Sequence, residues 1–153
     1  MINSTQAPDT DDTSPACVAL VRPTGEISGR QGLDYAVGVS AESVGSKALH
    51  LQTLTMPPGA RSRAHRHPRH ETAIYAIAGA SGCWFGERLT EHISLRAGEF
   101  LYIPAGTPHL PYNPSASEPF VAVIARTDPR EQEHVELLPE LDELPHLATP
   151  PRT

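Results

Sequence analysis

Proline sets the first limit on what this chain can fold into. Sixteen prolines stand among its 153 residues, about twice the usual share of ~5%. Each one removes a backbone donor and clashes with the preceding helical turn, so long helices are disfavoured. Between the breakers run short apolar or alternating segments, each ended by Gly, Pro, Asn or Ser. They read as strands at 17–22, 33–39, 47–56, 61–67, 71–78, 82–86, 90–96, 99–104, 108–112 and 119–126. Segments of this length, with turn signals roughly every 8–12 residues, predict an all-β sandwich or barrel. Only 129–144 reads as helical, and Pro139 limits it to one or two short turns.

Three regions follow. Residues 1–16 are polar and predict a disordered or loosely attached tail. Residues 17–127 carry the strands. Residues 128–153 form an acidic, Pro-containing tail, irregular or in short helical turns. The charge follows the same division. The formal charge of −6 concentrates at the two ends, and the body 13–127 holds ten basic against eight acidic residues. No broad basic face appears, so duplex nucleic acid is not an expected partner. No apolar run approaches the ~20 residues of a membrane helix, and no signal-peptide pattern opens the chain. The expected location is the cytoplasm, with no membrane partner. Cys17 and Cys83 match no zinc spacing and are expected to be buried or half-buried thiols.

The histidines carry the chemistry. In residues 57–79, His65 and His67 are two apart, which on a strand places both imidazoles on one face. Pro68 breaks that strand, and His70 and Glu71 follow in the turn. In residues 98–113, Gly98 opens a strand, Pro104-Ala105-Gly106 is a turn, and His109 begins the next strand.

These two segments resemble the paired motifs of the cupin superfamily. Gly98, Pro104, Gly106, His109 and Asn113 fit every fixed position of the second motif. Gly59, His65, His67 and Glu71 fit the first, but Gly79 falls one residue late. Counted back from Gly79, Thr72 takes the register of the motif's carboxylate. The run HETAIY is similar to small single-domain bacterial members. The resemblance covers residues 47–126 and implies a double-stranded β-helix, the jelly-roll barrel. It implies one divalent metal, Fe, Mn, Ni or Zn, held by His65, His67, Glu71 and His109. In regular strand register Thr72 and His70 face inward and Glu71 outward. A bulge at 71–72 would turn Glu71 in. Glu71 is the expected fourth ligand and His70 the alternative.

Three imidazoles and a carboxylate suit such metals and leave open positions for a small-molecule ligand. Arg63 shares parity with His65 and is expected to grip an acidic group of that ligand. Tyr102 and Trp84 are the aromatics expected to line the cavity. No Gly-rich phosphate loop or nucleophile elbow occurs. The expected function is therefore metal chemistry, a dioxygenase-like enzyme acting on a small organic acid or phenolic ligand. A metal-dependent isomerase or lyase on a sugar or sugar acid, or a non-enzymatic ligand-binding barrel, stands beside it. Apolar residues on both faces of 71–78 predict a homodimer.

Overall fold

The computed structural model describes residues 17–149. The expected tail at 1–16 lies outside them. The strands are β1 Ile27–Ser28, β2 Asp34–Val39, β3 His50–Met56, β4 His65–Arg66, β5 Thr72–Ala78, β6 Ala80–Phe85, β7 Glu91–Arg96, β8 Phe100–Ile103, β9 His109–Tyr112, β10 Phe120–Arg126 and β11 Glu136–Leu137. They form two antiparallel sheets, β1-β2-β3-β10-β5-β8 and β11-β4-β9-β6-β7. This is the expected double-sheet barrel. No helix among the described residues is long and apolar enough to cross a membrane.

Several expected elements change. Residues 17–22 are irregular, and Cys17 there is exposed rather than half-buried. The segment 61–67 contributes only the two residues of β4. One helical turn, α1 at Ala41–Val44, was not anticipated, although Ser40 and Ser43 form a capping box there and Gly45 closes the turn.

Strand alternation builds the interior, and it builds it with a gradient. β3 turns His50, Gln52, Leu54 and Met56 inward, and β10 turns in Phe120, Ala122, Ile124 and Arg126. Their register pairs Phe120 with Met56 at one end and Arg126 with His50 at the other. One end of the barrel is therefore a dry core, closed by Leu33, Tyr35, Ala76 and Leu95. The other end is polar, with Thr72 of β5 opposite Arg126. Cys83 lies inside the barrel, where burial pushes its thiol up to about 12, so it stays protonated.

Residues 136–148 are not a free tail. After β11 come two 3-10 turns, Pro139–Leu141 and Pro145–Ala148, each opened by a proline at its start. Leu138, Leu141, Leu144 and Leu147 recur every third residue, which on 3-10 geometry makes one apolar stripe. That stripe packs on the outer face of the smaller sheet, over Ala64, Trp84, Leu89 and Leu110. The Asp142 carboxylate and the Ala64 carbonyl add hydrogen bonds from Ala64 N at 2.6 Å and Leu138 N at 2.9 Å.

Gly82 is needed for close packing on this face. A Cβ there would sit 2.3 Å from the Tyr112 ring. Overpacking of this kind costs about 1–3 kcal/mol. Gly82→Ala is expected to lower the midpoint of thermal unfolding followed by circular dichroism. A midpoint equal to the parent's would contradict the packing described.

Candidate metal centre

The polar end of the barrel brings three histidines together. β4 and β9 pair with His65 directly across from His109, and their ring centroids are 4.2 Å apart. His67 follows two residues after His65 with the same parity. Its ring lies 5.0 Å from His65 and 5.1 Å from His109. The three residues offer ring nitrogens that all fall within 4.8 Å of one another. All three side chains are buried.

Hydrogen bonds set the tautomers of two of them. His65 Nδ1 faces the Arg63 carbonyl at 2.7 Å, and His109 Nδ1 faces the Thr107 carbonyl at 2.9 Å. A carbonyl only accepts, so each Nδ1 carries the proton and each Nε2 keeps its lone pair for the cavity. Burial disfavours the charged ring in all three. It pulls His65 well below the ordinary histidine value, lowers His109, and takes His67 to about 4. Neutral imidazoles with aimed lone pairs are what a divalent transition metal requires.

A second cluster adjoins the first. His70 is buried, with its ring 4.5 Å from His67. His67, His70 and Glu133 also bring donor atoms within 4.8 Å. His70 Nε2 donates to Glu133 Oε2 at 3.0 Å, and His67 Nδ1 lies 3.4 Å from that same oxygen. Neither His67 Nδ1 nor His70 Nδ1 has a hydrogen-bond partner. Burial pushes the Glu133 carboxyl up, but the His70 hydrogen bond, His67 and the Arg126 guanidinium outweigh it and hold Glu133 below its usual range. The Arg126 Nε lies 3.5 Å from Glu133 Oε2.

The residues therefore fit a metal. The donor set is nitrogen-rich and neutral, and His65 and His109 keep Nε2 free of the backbone carbonyls that hold their Nδ1 protons. The expected fourth ligand is placed differently. Strand β5 starts in regular register, so Thr72 and His70 are buried and Glu71 turns to solvent. There Glu71 accepts a hydrogen bond from the Tyr102 hydroxyl at 2.8 Å. The register shift between β10 and β5 falls opposite Ile77, not at 71–72. Glu71 does not join the histidines.

The expected ligand-contacting residues also separate. Arg63 is exposed and faces a polar groove with Arg61 and Asp142, away from the histidines. Trp84 is on the outer face of β6, buried under the C-terminal leucines and edge-on to His146 at 5.3 Å. His146 Nε2 donates to the Leu89 carbonyl at 2.8 Å. Tyr102 is mostly exposed but lines a groove that reaches His109.

Two spaces meet at the histidines. A small cavity of about 50 Å³ is lined by all three, with Thr72, Arg126 and Glu133 and otherwise mostly apolar side chains. A groove of about 320 Å³ runs along the seam between the free edges of β7 and β8, walled by Ile93, Leu101, Ile103 and Tyr102 and ending on His109. Arg126 and Glu133 were missed in the sequence. Arg126 was legible, since it continues the inward parity of Phe120, Ala122 and Ile124. Glu133 carried no signal, being one acid among seven in its segment.

The comparisons agree with this geometry. Residues 52–125 match the family model described as cupin domain. Comparison with curated protein sequences returns no match. Among solved structures, an uncharacterized conserved protein with a double-stranded beta-helix domain from Klebsiella pneumoniae aligns at a TM-score of 0.56 and 21% identity. The alignment covers 77% of this chain and 90% of that one. Oxalate decarboxylase from Bacillus subtilis aligns at 0.58 and 20% identity, over 77% of this chain but 30% of the enzyme. A putative sugar phosphate isomerase from Acidithiobacillus ferrooxidans aligns at 0.55 and 16%, over 78% and 86%. At these identities the likeness is one of fold. With both histidine motifs in place on a double-stranded β-helix, the chain belongs to the cupin superfamily.

Proposed function

We propose that this cupin is a cytoplasmic, metal-dependent, dioxygenase-like enzyme acting on a small organic acid or phenol. His65, His67 and His109 are the residues that would hold the metal. The observation that carries this reading is the convergence of three buried, neutral imidazoles on the wall of a small, largely apolar cavity, with His109 also closing an apolar groove. A divalent ion there would supply Lewis acidity toward a ligand oxygen and, as iron, reactivity toward dioxygen.

The chain's own residues set the rest. The 50 Å³ cavity admits a head group of a few atoms. The groove that ends on His109 offers apolar walls to the rest of the ligand. Sugar hydroxyls laid along those walls would lose water without gaining partners, so the isomerase reading fits less well. The Tyr102 hydroxyl is tied to Glu71 and keeps the ring at the groove's outer edge. The free thiols Cys17 and Cys83 suit a reducing compartment.

Aerobic assays decide the matter. Protein loaded anaerobically with Fe(II) is expected to retain one ion per chain and to consume oxygen with some member of a panel of short acids and phenols. Variants His65→Ala and His109→Ala are expected to lose the ion. Retention of no divalent metal would overturn the reading. Turnover of a sugar acid with Zn(II) or Ni(II) and no oxygen uptake would favour the isomerase instead.

We also propose a homodimer formed through the outer face of the larger sheet. Tyr75, Ile77, Phe100, Leu49 and Leu51 are exposed there, and the Tyr75 and Phe100 rings stack at 4.7 Å. An apolar face of this extent marks an interface. Sedimentation velocity at micromolar concentration is expected to give a dimer. The double variant Ile77→Asp with Phe100→Asp is expected to sediment as a monomer that still binds metal. A monomeric parent would refute the interface.

A further inference from the structure

We propose that Glu133 is a positioning residue of the metal centre. In this role it accepts the Nδ1 proton of His67 and so aims His67 Nε2 at the ion held with His65 and His109. The inference rests on the metal-binding reading above.

The three histidines pose one problem, solved twice in the same way. His65 and His109 each direct Nδ1 to a backbone carbonyl, of Arg63 and Thr107. His67 has no carbonyl there, and its buried Nδ1 is without a hydrogen-bond partner. A carboxylate oxygen that could serve is Glu133 Oε2, at 3.4 Å. A closing movement of a few tenths of an ångström would make the bond.

Three side chains hold Glu133 in place. Gln31 Nε2 donates to its Oε1 at 3.1 Å, His70 Nε2 donates to its Oε2 at 3.0 Å, and the Arg126 Nε lies 3.5 Å from Oε2. Both oxygens already accept protein donors, and the carboxylate lies with the donor atoms of His67 and His70 rather than with those of His65 and His109. The carboxylate therefore acts on the ion through His67. A carboxylate behind a ligating imidazole fixes the ring and raises its basicity, and its loss typically weakens metal binding about 10–100-fold. The arrangement also explains why Glu71 can face solvent. The negative charge beside the histidines comes from the C-terminal segment, 62 residues further along the chain.

Co(II) alone serves as the probe. Its affinity is measured by competition with a chelator, and its visible absorption reports the ligand field. Glu133→Ala is expected to bind Co(II) about 10–100-fold more weakly than the parent, with a shifted absorption envelope. Glu133→Gln, which keeps the volume and an acceptor oxygen but loses the charge, is expected to fall between the two, and Glu133→Asp to recover part of the loss. Glu71→Gln is expected to match the parent in both readouts. A purely structural role would lower the melting temperature of the metal-free variants yet leave the Co(II) envelope of the folded protein unmoved. In case the variants do not fold, the Zn(II)-loaded parent gives an independent reading. Nitrogen-15 NMR should show His67 protonated at Nδ1, with that proton slow to exchange. Equal affinity and spectra for parent and Glu133→Gln, or a His67 protonated at Nε2, would overturn the proposal. A parent that binds no Co(II) would instead defeat the metal reading on which it rests.

Discussion

A positive charge buried at the end of the middle strand organises one end of this molecule. Arg126 closes β10 on its inward parity and is almost wholly buried. An unpaired guanidinium in that position would be prohibitively costly. The chain answers by turning back on itself. Arg126 Nε donates to the Asp128 carbonyl at 3.2 Å, and its Nη2 donates to the carbonyls of Arg130 and of Glu131, the latter at 3.1 Å. The turn so formed is braced by Asp128. Its carboxylate takes a hydrogen bond from the Arg130 side chain, and that bond, ahead of those from the Arg130 and His134 amides, holds it far below the usual carboxylate range. At the end of the turn stands Glu133, whose charge completes the compensation. One electrostatic requirement thus delivers the acid that faces His67 and His70.

The same strands serve stability and chemistry at opposite ends. Leu54 and Met56 belong to the dry core, while His50 and Gln52, four and two residues before Leu54 on the same face, belong to the polar end. β10 repeats the division with Phe120 and Arg126. A site grafted on one end of a closed barrel leaves the other end free to supply the hydrophobic stabilisation, since each large side chain buried there contributes about 1.5–3 kcal/mol. The polar end can then hold several buried imidazoles whose rings lack full partners.

Local pattern made much of this legible, and distance in the chain concealed the rest. The spacing of His65, His67 and His109 is a matter of strand parity and turn chemistry, which neighbours decide. The placing of Glu71 depended on where one extra residue is absorbed before Gly79. The chain absorbs it opposite Ile77, where Gly79 turns with φ of 74° beneath Pro119. No short-range signal distinguished that bulge from one at 71–72. Trp84 and Arg63 were misplaced for a different reason. Parity can say that a side chain points out of a sheet, but not that a leucine stripe more than fifty residues away will cover it. The stripe itself, at 138, 141, 144 and 147, has the period of a 3-10 turn, not the 3.6-residue helical period first sought there.

The position of β10 has a consequence for how the protein is made. It lies between β3 and β5, paired along its length with both. Until residue 126 has left the ribosome, the larger sheet exists as two unjoined pieces with facing open edges. Pairings of this separation in sequence are slow to form, because loop-closure entropy precedes any reward. The nascent chain therefore presents unpaired strands for most of its synthesis, and its solubility during that interval rests on what meets those edges first.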